Sequence, residues 1–255
     1  MSRIGIFAYG IISYLVFLAV FIYGIGFIGG FLTPTMLDSP PDGPPYRALL
    51  VDLGLLTAFA IQHSGMARPA FKRWWTRIIP DVAERSTYVL LSSLALAALY
   101  FLWEPIGGVV WSATPGVARE TIIGLYVSGW ALLLYVTFLI DHFDLFGLKQ
   151  VWRRLCRMTY RAPMFRTPSL YKLVRHPLYI GWLMIFWAAP TMTSAHLVFA
   201  LATTAYILIA IRWEERDLES AFGQVYADYK SRTPMIVPRL WGRRKPNSSA
   251  VGRAP

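Results

Sequence analysis

Six apolar segments separated by polar connections are the feature that most constrains how this chain folds. They lie at about residues 4–32, 46–66, 82–103, 121–140, 178–190 and 197–211. A helix needs about 20 apolar residues to cross the hydrocarbon layer of a bilayer. The hydrophobic share of 56% also exceeds that of ordinary soluble domains. The sequence therefore predicts an all-α fold, a polytopic transmembrane helical bundle.

The fifth segment, residues 178–190, is too short to cross a membrane as a helix. Its 13 residues would rise about 20 Å, whereas the hydrocarbon layer is about 30 Å thick. We expect a short helix that forms a hairpin with the sixth segment, with the turn in residues 190–196. This predicts about five full spans plus one short helix paired with the last span.

Lysine and arginine are concentrated in alternate connections. Of 25 such residues, 23 lie before the first segment, in positions 67–85, in positions 142–176 or after position 211. Basic residues favour the cytoplasmic side of a membrane, so both termini and the two basic loops are predicted to be cytoplasmic. Topology and attraction to anionic lipid therefore account for the net charge of +11, and nucleic-acid binding is not indicated.

Three connecting patterns predict local structure. Positions 67–85 combine basic residues with two tryptophans, which is typical of a helix lying at the membrane surface. Asp81, followed by Glu84, resembles a capping box at the start of the third long helix. Thr167 and Pro168 predict the N-cap and first position of a short helix that runs into Arg175.

Three glycines in the first segment match a dinucleotide-binding pattern by letter only. Gly24, Gly26 and Gly29 have G-x-G-x-x-G spacing, but they lie inside a membrane segment with no predicted strand before them. Small residues at such positions favour close helix packing. We therefore interpret them as packing residues and not as a nucleotide site.

Three of the four histidines, His63, His142 and His176, fall at the predicted cytoplasmic ends of segments, whereas His196 falls at the other side. Ionisable residues inside membranes are costly and usually functional. The alternative is that these rings simply contact water or lipid headgroups. No i, i+4 pair and no H-E-x-x-H pattern occurs, so no metal site is predicted.

The ends of the predicted hairpin carry complementary polar residues. Arg175, His176 and Tyr179 lie where the fifth segment begins, and Glu214 and Glu215 lie where the sixth ends. Guanidinium groups bind carboxylates, and acidic side chains bind ammonium or hydroxyl groups. This combination predicts a site for a zwitterionic, hydroxyl-rich ligand. The alternative is that these residues are solvated charges and a lipid anchor.

These motifs resemble those of a known superfamily. RHPLYIG and the later block EERDLESAFGQVYADYKSRTPMIVP are similar to the signature of integral membrane methyltransferases, which include isoprenylcysteine carboxyl methyltransferases and phospholipid N-methyltransferases. The upstream blocks QHSGMARPAFKRWW, IPDVAERSTYVL and DHFDLFGLKQVW resemble bacterial methanethiol S-methyltransferases, so that resemblance covers nearly the whole chain. More distantly, QHSGMAR and ERSTY resemble a family that includes haem-containing carotenoid isomerases.

The resemblance implies an enzyme of the bacterial inner membrane that methylates methanethiol to dimethyl sulfide. S-adenosylmethionine would be the methyl donor and S-adenosylhomocysteine the co-product. Residues 1–241 would form one membrane domain, with the cofactor-binding part in about 168–240, and residues 242–255 a disordered cytoplasmic tail. Beyond the thiol and membrane lipid, no obligate protein partner is inferred.

By the same resemblance, six residues map onto the cofactor-binding motif. They are Arg175, His176, Tyr179, Gly181, Glu214 and Glu215. An apolar pocket raises the pKa of a thiol, so the reaction also needs a base or cation. His63 and His142 are the candidate bases, with Glu84 and Arg85 as orienting or electrostatic partners. Two alternatives stay open: a lipid or prenylcysteine methyltransferase, and a haem-binding isomerase with His63 and His142 on the iron.

Overall fold

The computed structural model describes residues 2–161 and 164–238 and forms a helical bundle with one small sheet. In chain order the elements are α1 (Arg3–Gly29), α2 (Pro45–Ala67), α3 (Pro69–Trp75), α4 (Asp81–Leu102), β1 (Val109–Ser112), α5 (Val117–Ile140), α6 (His142–Leu145), α7 (Leu148–Leu155), a 3₁₀ turn (Ser169–Lys172), α8 (Pro177–Trp187), β2 (Thr191–Thr193), α9 (Ser194–Phe222) and α10 (Gln224–Arg232). Five helices, α1, α2, α4, α5 and α9, are long and apolar enough to cross a membrane. The predicted polytopic bundle is confirmed, while the tail predicted at 242–255 lies outside the described residues.

The short helix α8 and the strand β2 together form the first arm of the predicted hairpin. The 11 residues of α8 rise about 16 Å, roughly half the hydrocarbon thickness. Beyond them β2 pairs antiparallel with β1, with Val109 opposite Thr193 and Ser112 opposite Thr191. The sheet was not predicted. It gives the backbone beyond the end of α8 hydrogen-bond partners that lipid cannot supply.

His196 fixes the turn of this hairpin. Its Nδ1 lies 2.8 Å from an Asp38 carboxylate oxygen, and its Nε2 lies 3.0 Å from the Phe186 carbonyl oxygen. Thr193 caps α9 by accepting a hydrogen bond from the His196 backbone N–H, and its hydroxyl donates to Asp38. The fourth histidine is therefore part of a buried connection between the α1–α2 loop and the hairpin.

Glycines allow the helices to approach closely. A Cβ on Gly181 of α8 would lie 3.1 Å from the Gly129 carbonyl oxygen of α5, tighter than ordinary contact. A Cβ on Gly24 of α1 would lie 2.6 Å from the Tyr100 hydroxyl oxygen of α4. These distances support the packing interpretation of the glycines in α1, and they place Gly181 in a helix interface.

The start of α4 differs from the prediction, although the surface helix predicted before it is present as α3. Pro80 has the extended backbone of an N-cap residue and makes no side-chain cap, so Asp81 is already the first helical residue. The capping-box prediction is therefore wrong, because the proline occupies the position whose side chain would accept the hydrogen bond. Glu84 instead faces Lys72 of α3, with 4.0 Å between its carboxylate and the ammonium.

The helix predicted from Thr167 and Pro168 is also wrong. Only a 3₁₀ turn forms, and it ends at Lys172. Its N-cap is Pro168 and not Thr167, and it stops before Arg175. His176 precedes Pro177, and a residue before proline is disfavoured in the α-helical region. The His176 backbone is accordingly non-helical, with φ −127° and ψ 62°.

Candidate active site

The non-helical stretch before α8 is held by the chain that follows α10. The backbone N–H of Arg175 donates to the Pro234 carbonyl oxygen at 2.8 Å, and that of His176 donates to the Met235 carbonyl oxygen at 3.1 Å. The residue before a proline is disfavoured in the α-helical region, so this stretch is not helical, and its two N–H groups find their acceptors outside a helix. These two bonds place the Arg175 and His176 side chains beside the end of α9.

The Arg175 guanidinium joins three segments of the chain. Its Nε donates to Glu215 Oε1 at 2.8 Å, and its Nη1 donates to the carbonyl oxygens of Lys230 at 2.9 Å and Thr233 at 2.5 Å. The side chains of Arg175 and Glu215 are only 11% and 8% exposed. Charge-assisted bonds of this kind are strong when buried and well aligned. The guanidinium therefore fixes the chain after α10 against α8 and α9.

Glu215 is fully engaged by its neighbours. Besides Arg175, it lies 3.0 Å from His176 Nε2 and 3.0 Å from the Lys230 ammonium. A carboxylate only accepts hydrogen bonds, so His176 Nε2 is the donor to Glu215. Hydrogen bonds to Glu219 and Glu215 raise the pKa of Lys230 above its ordinary value. We call Arg175, Glu215 and Lys230 the clamp.

Glu214 faces the opposite way and is open. Its side chain is 45% exposed. Its Oε2 accepts a hydrogen bond from the Tyr179 hydroxyl at 3.1 Å and lies 3.7 Å from His176 Nδ1. Among the described residues, no lysine or arginine lies within 4.0 Å of this carboxylate. Glu214 is thus a partly exposed carboxylate that has the Tyr179 hydroxyl beside it and no lysine or arginine partner among the described residues.

Five of the six predicted cofactor residues therefore meet at one place, and Gly181 does not join them. It lies in the α5–α8 interface, where its missing side chain lets the helices approach. Sequence reasoning did not single out Lys230, although the block that carries it was part of the resemblance. Lys230 lies eight residues before the end of the described chain, and no local sequence signal indicates that it pairs with Glu215.

His63 lies in a second polar group, between α2 and α4. The Tyr88 hydroxyl is 3.0 Å from His63 Nε2 and 3.2 Å from Nδ1, and the Ser92 hydroxyl is 3.2 Å from Nδ1. The Gln62 amide nitrogen is 3.4 Å from the Ser92 hydroxyl. We call Gln62, His63, Tyr88 and Ser92 the α2–α4 niche. Tyr88 and Ser92 were not predicted, although they follow Arg85 at helical spacing.

Arg85 contacts this niche and Glu84 does not. The Arg85 guanidinium carbon lies 5.4 Å from the centroid of the Tyr88 ring, and its Nε donates to the Leu145 carbonyl oxygen at 2.8 Å. Glu84 is directed towards Lys72 instead. Of the two charged residues predicted as partners of a base, Arg85 therefore supplies a positive charge beside the His63 group.

His142 occupies a separate niche between α1, α5 and α6. Its Nδ1 lies 2.8 Å from the Thr137 hydroxyl and its Nε2 lies 2.9 Å from the Tyr14 hydroxyl. The Thr137 proton is donated to the Leu134 carbonyl oxygen, so Nδ1 donates to Thr137 and Nε2 accepts from Tyr14. Burial lowers the pKa of His142 below its ordinary value. Both ring nitrogens are thus engaged, and among the described residues no hydrogen bond joins this ring to His63.

The α2–α4 niche and the clamp are neighbours at the same end of the bundle. The Ser64 hydroxyl of α2 lies 2.9 Å from the Tyr206 hydroxyl of α9, and Arg68 forms an ion pair with Asp217 at 2.8 Å. In residues 2–161 and 164–238, no group of three or more His, Cys, Asp or Glu side chains is arranged to hold a metal ion.

Comparison with known proteins identifies the family. Methanethiol S-methyltransferase 2 of Bradyrhizobium diazoefficiens is 50% identical over 244 residues, covering 96% of this chain and 94% of the relative. The methanethiol S-methyltransferase of Crocosphaera subtropica is 48% identical over 238 residues, or 93% of each chain. That of Mycobacterium tuberculosis is 46% identical over 244 residues, covering 96% of this chain and 99% of the relative.

No protein-family model and no solved structure matches the chain. The curated relatives nevertheless span nearly its whole length, including both polar groups described above. The chain belongs to the methanethiol S-methyltransferase family.

Proposed function

We propose that this protein transfers a methyl group from S-adenosylmethionine to methanethiol, releasing dimethyl sulfide and S-adenosylhomocysteine. The observation that carries the proposal is the open Glu214 carboxylate beside the clamp, a short distance from a histidine-containing niche in the membrane. The names of the relatives support methanethiol as the acceptor.

The residues at this end of the bundle fit S-adenosylmethionine. The donor carries an ammonium group, ribose hydroxyls and a sulfonium, and Glu214 with Tyr179 offers a carboxylate and a hydroxyl for such groups. The buried Tyr226 hydroxyl of α10 has no hydrogen-bond partner in the described part of the chain. An unpaired buried hydroxyl is consistent with a missing ligand or water.

Arg175 and Glu215 have a different task from Glu214. Nε and Nη1 of Arg175 already donate three hydrogen bonds within the described residues. We assign Arg175, Glu215 and Lys230 to positioning, because they hold the chain around Thr233 that closes one side of the site. Glu214 and Tyr179 are assigned to direct contact with the donor.

The bound donor supplies an electrophilic methyl group, so that the bond to the acceptor sulfur forms as the carbon–sulfonium bond breaks and its electrons remain with the departing sulfur. The chain must supply a thiolate and exclude water. His63 is the proposed base, since its helix α2 contacts α9, the helix that carries Glu214, through Ser64 and Tyr206. His142 is less suited, because it lies in a separate niche between α1, α5 and α6 and its hydrogen bonds within the described residues run to Tyr14 and Thr137, not to α9.

We infer that the end of the bundle with α3, α6, α7 and α10 faces the cytoplasm of a bacterial inner membrane. Arginine and lysine residues are concentrated in these connections, as they are on cytoplasmic sides. A donor dissolved in the cytoplasm would reach Glu214 from there. Residues 1–241 are proposed as one domain, because the chain after α10 bonds directly to the start of α8.

The test is product analysis with the purified full-length chain in lipid nanodiscs. Methyl-labelled S-adenosylmethionine is supplied with methanethiol in one arm and a prenylcysteine analogue in the other. We expect labelled dimethyl sulfide in the headspace of the first arm. Labelled prenylcysteine ester without dimethyl sulfide would instead establish the lipid-type alternative, and a stoichiometric Soret band would establish the haem alternative.

A further inference from the structure

The α2–α4 niche contains more polar groups than a base alone requires. Gln62, His63, Tyr88 and Ser92 lie on two helices that are long and apolar enough to cross the membrane. Polar groups in a bilayer need partners within the protein, and where they cluster they usually mark a functional site. The Gln62 carbonyl oxygen is nevertheless buried without a hydrogen-bond partner among the described residues. The niche thus has spare hydrogen-bonding capacity.

We propose that this niche is the methyl-acceptor subsite, in which the Tyr88 hydroxyl binds the sulfur of the thiol and Ser92 fixes the His63 ring. The proposal rests on the proposed function and adds to it the residues that hold the second substrate. It assigns a direct role to Tyr88 and a positioning role to Ser92.

The hydrogen-bond pattern around His63 defines where the sulfur would bind. A neutral imidazole has one donor and one acceptor nitrogen. With Nδ1–H donating to Ser92, 3.2 Å away, Nε2 is the acceptor and receives the Tyr88 hydroxyl proton at 3.0 Å. A thiol entering between these two groups would donate its S–H to Nε2 and accept the Tyr88 O–H at its sulfur. The thiol proton then passes to Nε2, while Ser92 keeps its bond to Nδ1–H.

Arg85 makes this position suitable for a thiolate. Its guanidinium lies over the Tyr88 ring at 5.4 Å and is fixed by the Leu145 carbonyl oxygen. A positive charge at this distance in a medium of low dielectric favours negative charge on a sulfur bound to the same phenol. Desolvation would otherwise disfavour the thiolate. The Tyr88 hydroxyl and the Arg85 charge therefore offset the cost of desolvating the thiolate.

Phe59 limits the size of the acceptor. Its ring stacks on His63 with 5.2 Å between centroids and an interplanar angle of 20°. One face of the imidazole is therefore covered, and a substrate approaches through the ring edge between His63 and Tyr88. A one-carbon thiol fits this approach better than a branched or prenylated one.

The experiment compares Tyr88→Phe with wild type in the methanethiol assay at saturating S-adenosylmethionine. Tyr88→Phe removes only the hydroxyl. We expect kcat/KM for methanethiol to fall about 10- to 100-fold, as for loss of a hydrogen bond to a charged group. The dependence of kcat/KM on pH should also shift. Calorimetry should give unchanged donor affinity. Tyr9→Phe is the matched control, since its hydroxyl bonds Thr87 on the same helix α4 at 2.9 Å but lies outside the niche.

Each outcome decides between the subsite and the wider function. If Tyr88→Phe retains the wild-type kcat/KM and pH profile, the acceptor subsite is refuted while the methyltransferase function stands. If the wild-type chain binds the donor but makes no dimethyl sulfide, both proposals fail. Ser92→Ala provides a second variant in case Tyr88→Phe does not fold, and it should lower turnover and shift the pH profile in the same direction.

Discussion

Glu214 and Glu215 are neighbours in sequence with opposite environments, so the same isosteric change should have two different effects. Glu214→Gln removes a charge from a 45% exposed carboxylate whose one hydrogen-bond donor among the described residues is Tyr179. Glu215→Gln removes a charge from an 8% exposed carboxylate that pairs with Arg175 and Lys230. The first variant tests ligand binding and the second tests the clamp.

The expected magnitudes follow from these contacts. A charge-assisted hydrogen bond to a ligand contributes about 1.5–3 kcal/mol, so Glu214→Gln should weaken S-adenosylmethionine binding by roughly 10- to 150-fold. Its thermal stability should stay near wild type, because no buried ion pair is lost. Breaking a buried pair costs about 3–5 kcal/mol. Glu215→Gln should therefore lower the unfolding temperature markedly, because the uncompensated Arg175 charge stays buried.

The assays are isothermal titration calorimetry with S-adenosylmethionine and thermal unfolding in the same nanodiscs. Glu219→Gln is the matched control, since this residue pairs with the partly exposed Lys230 at 2.8 Å but does not contact Arg175. Exposed pairs contribute little, so the control should change both readouts only slightly. Equal losses of donor affinity in Glu214→Gln and Glu219→Gln, or unchanged stability in Glu215→Gln, would refute this division of roles.

Three further outcomes are expected. Gly181→Ala should destabilise the protein by about 1–3 kcal/mol through overpacking against Gly129, in a thermal unfolding assay, while the folded fraction keeps its donor affinity. His63→Gln should lower methanethiol turnover and spare donor affinity in calorimetry, and wild-type turnover would exclude it as the base. Because burial lowers the pKa of His142, its contribution to stability should be complete above about 6.5 and be lost as pH falls through the lower folded-state pKa. Thermal unfolding between pH 7.5 and 5 should show this loss, and it should be smaller in His142→Gln.

Much of the fold was predictable because it depends on local composition. The apolar segments, the short fifth segment and the helix at positions 69–75 all appear near the positions expected from the sequence. The two failures at helix starts involve proline. At α4 Pro80, not Asp81, is the N-cap residue. Before α8 Pro168 is the N-cap of a 3₁₀ turn that ends at Lys172, where a helix reaching Arg175 was predicted. The β1–β2 sheet could not be predicted, since β1 comes from a distant connection.

The candidate site was predictable only in part, because it depends on side-chain direction. Successive residues of a helix point about 100° apart, so Glu214 and Glu215 meet different neighbours, and the sequence could not say which faces Arg175. The sequence likewise could not say which side chains each histidine contacts. His63 meets Tyr88 and Ser92 across a helix interface, whereas His142 is enclosed by α1.

The sequence alone determined that the chain is a bundle of five spans with a short paired helix, and that an arginine–histidine motif meets two glutamates at one end. The lengths of the apolar segments predict the spans, and the hairpin between the fifth and sixth segments brings the motif and the glutamates to the same end. Only the tertiary structure decided which glutamate is buried in the clamp, which histidine has a tyrosine and a serine beside it, and that Gly181 serves packing. Those outcomes depend on the rotation of each helix about its axis and on contacts between residues far apart in the chain.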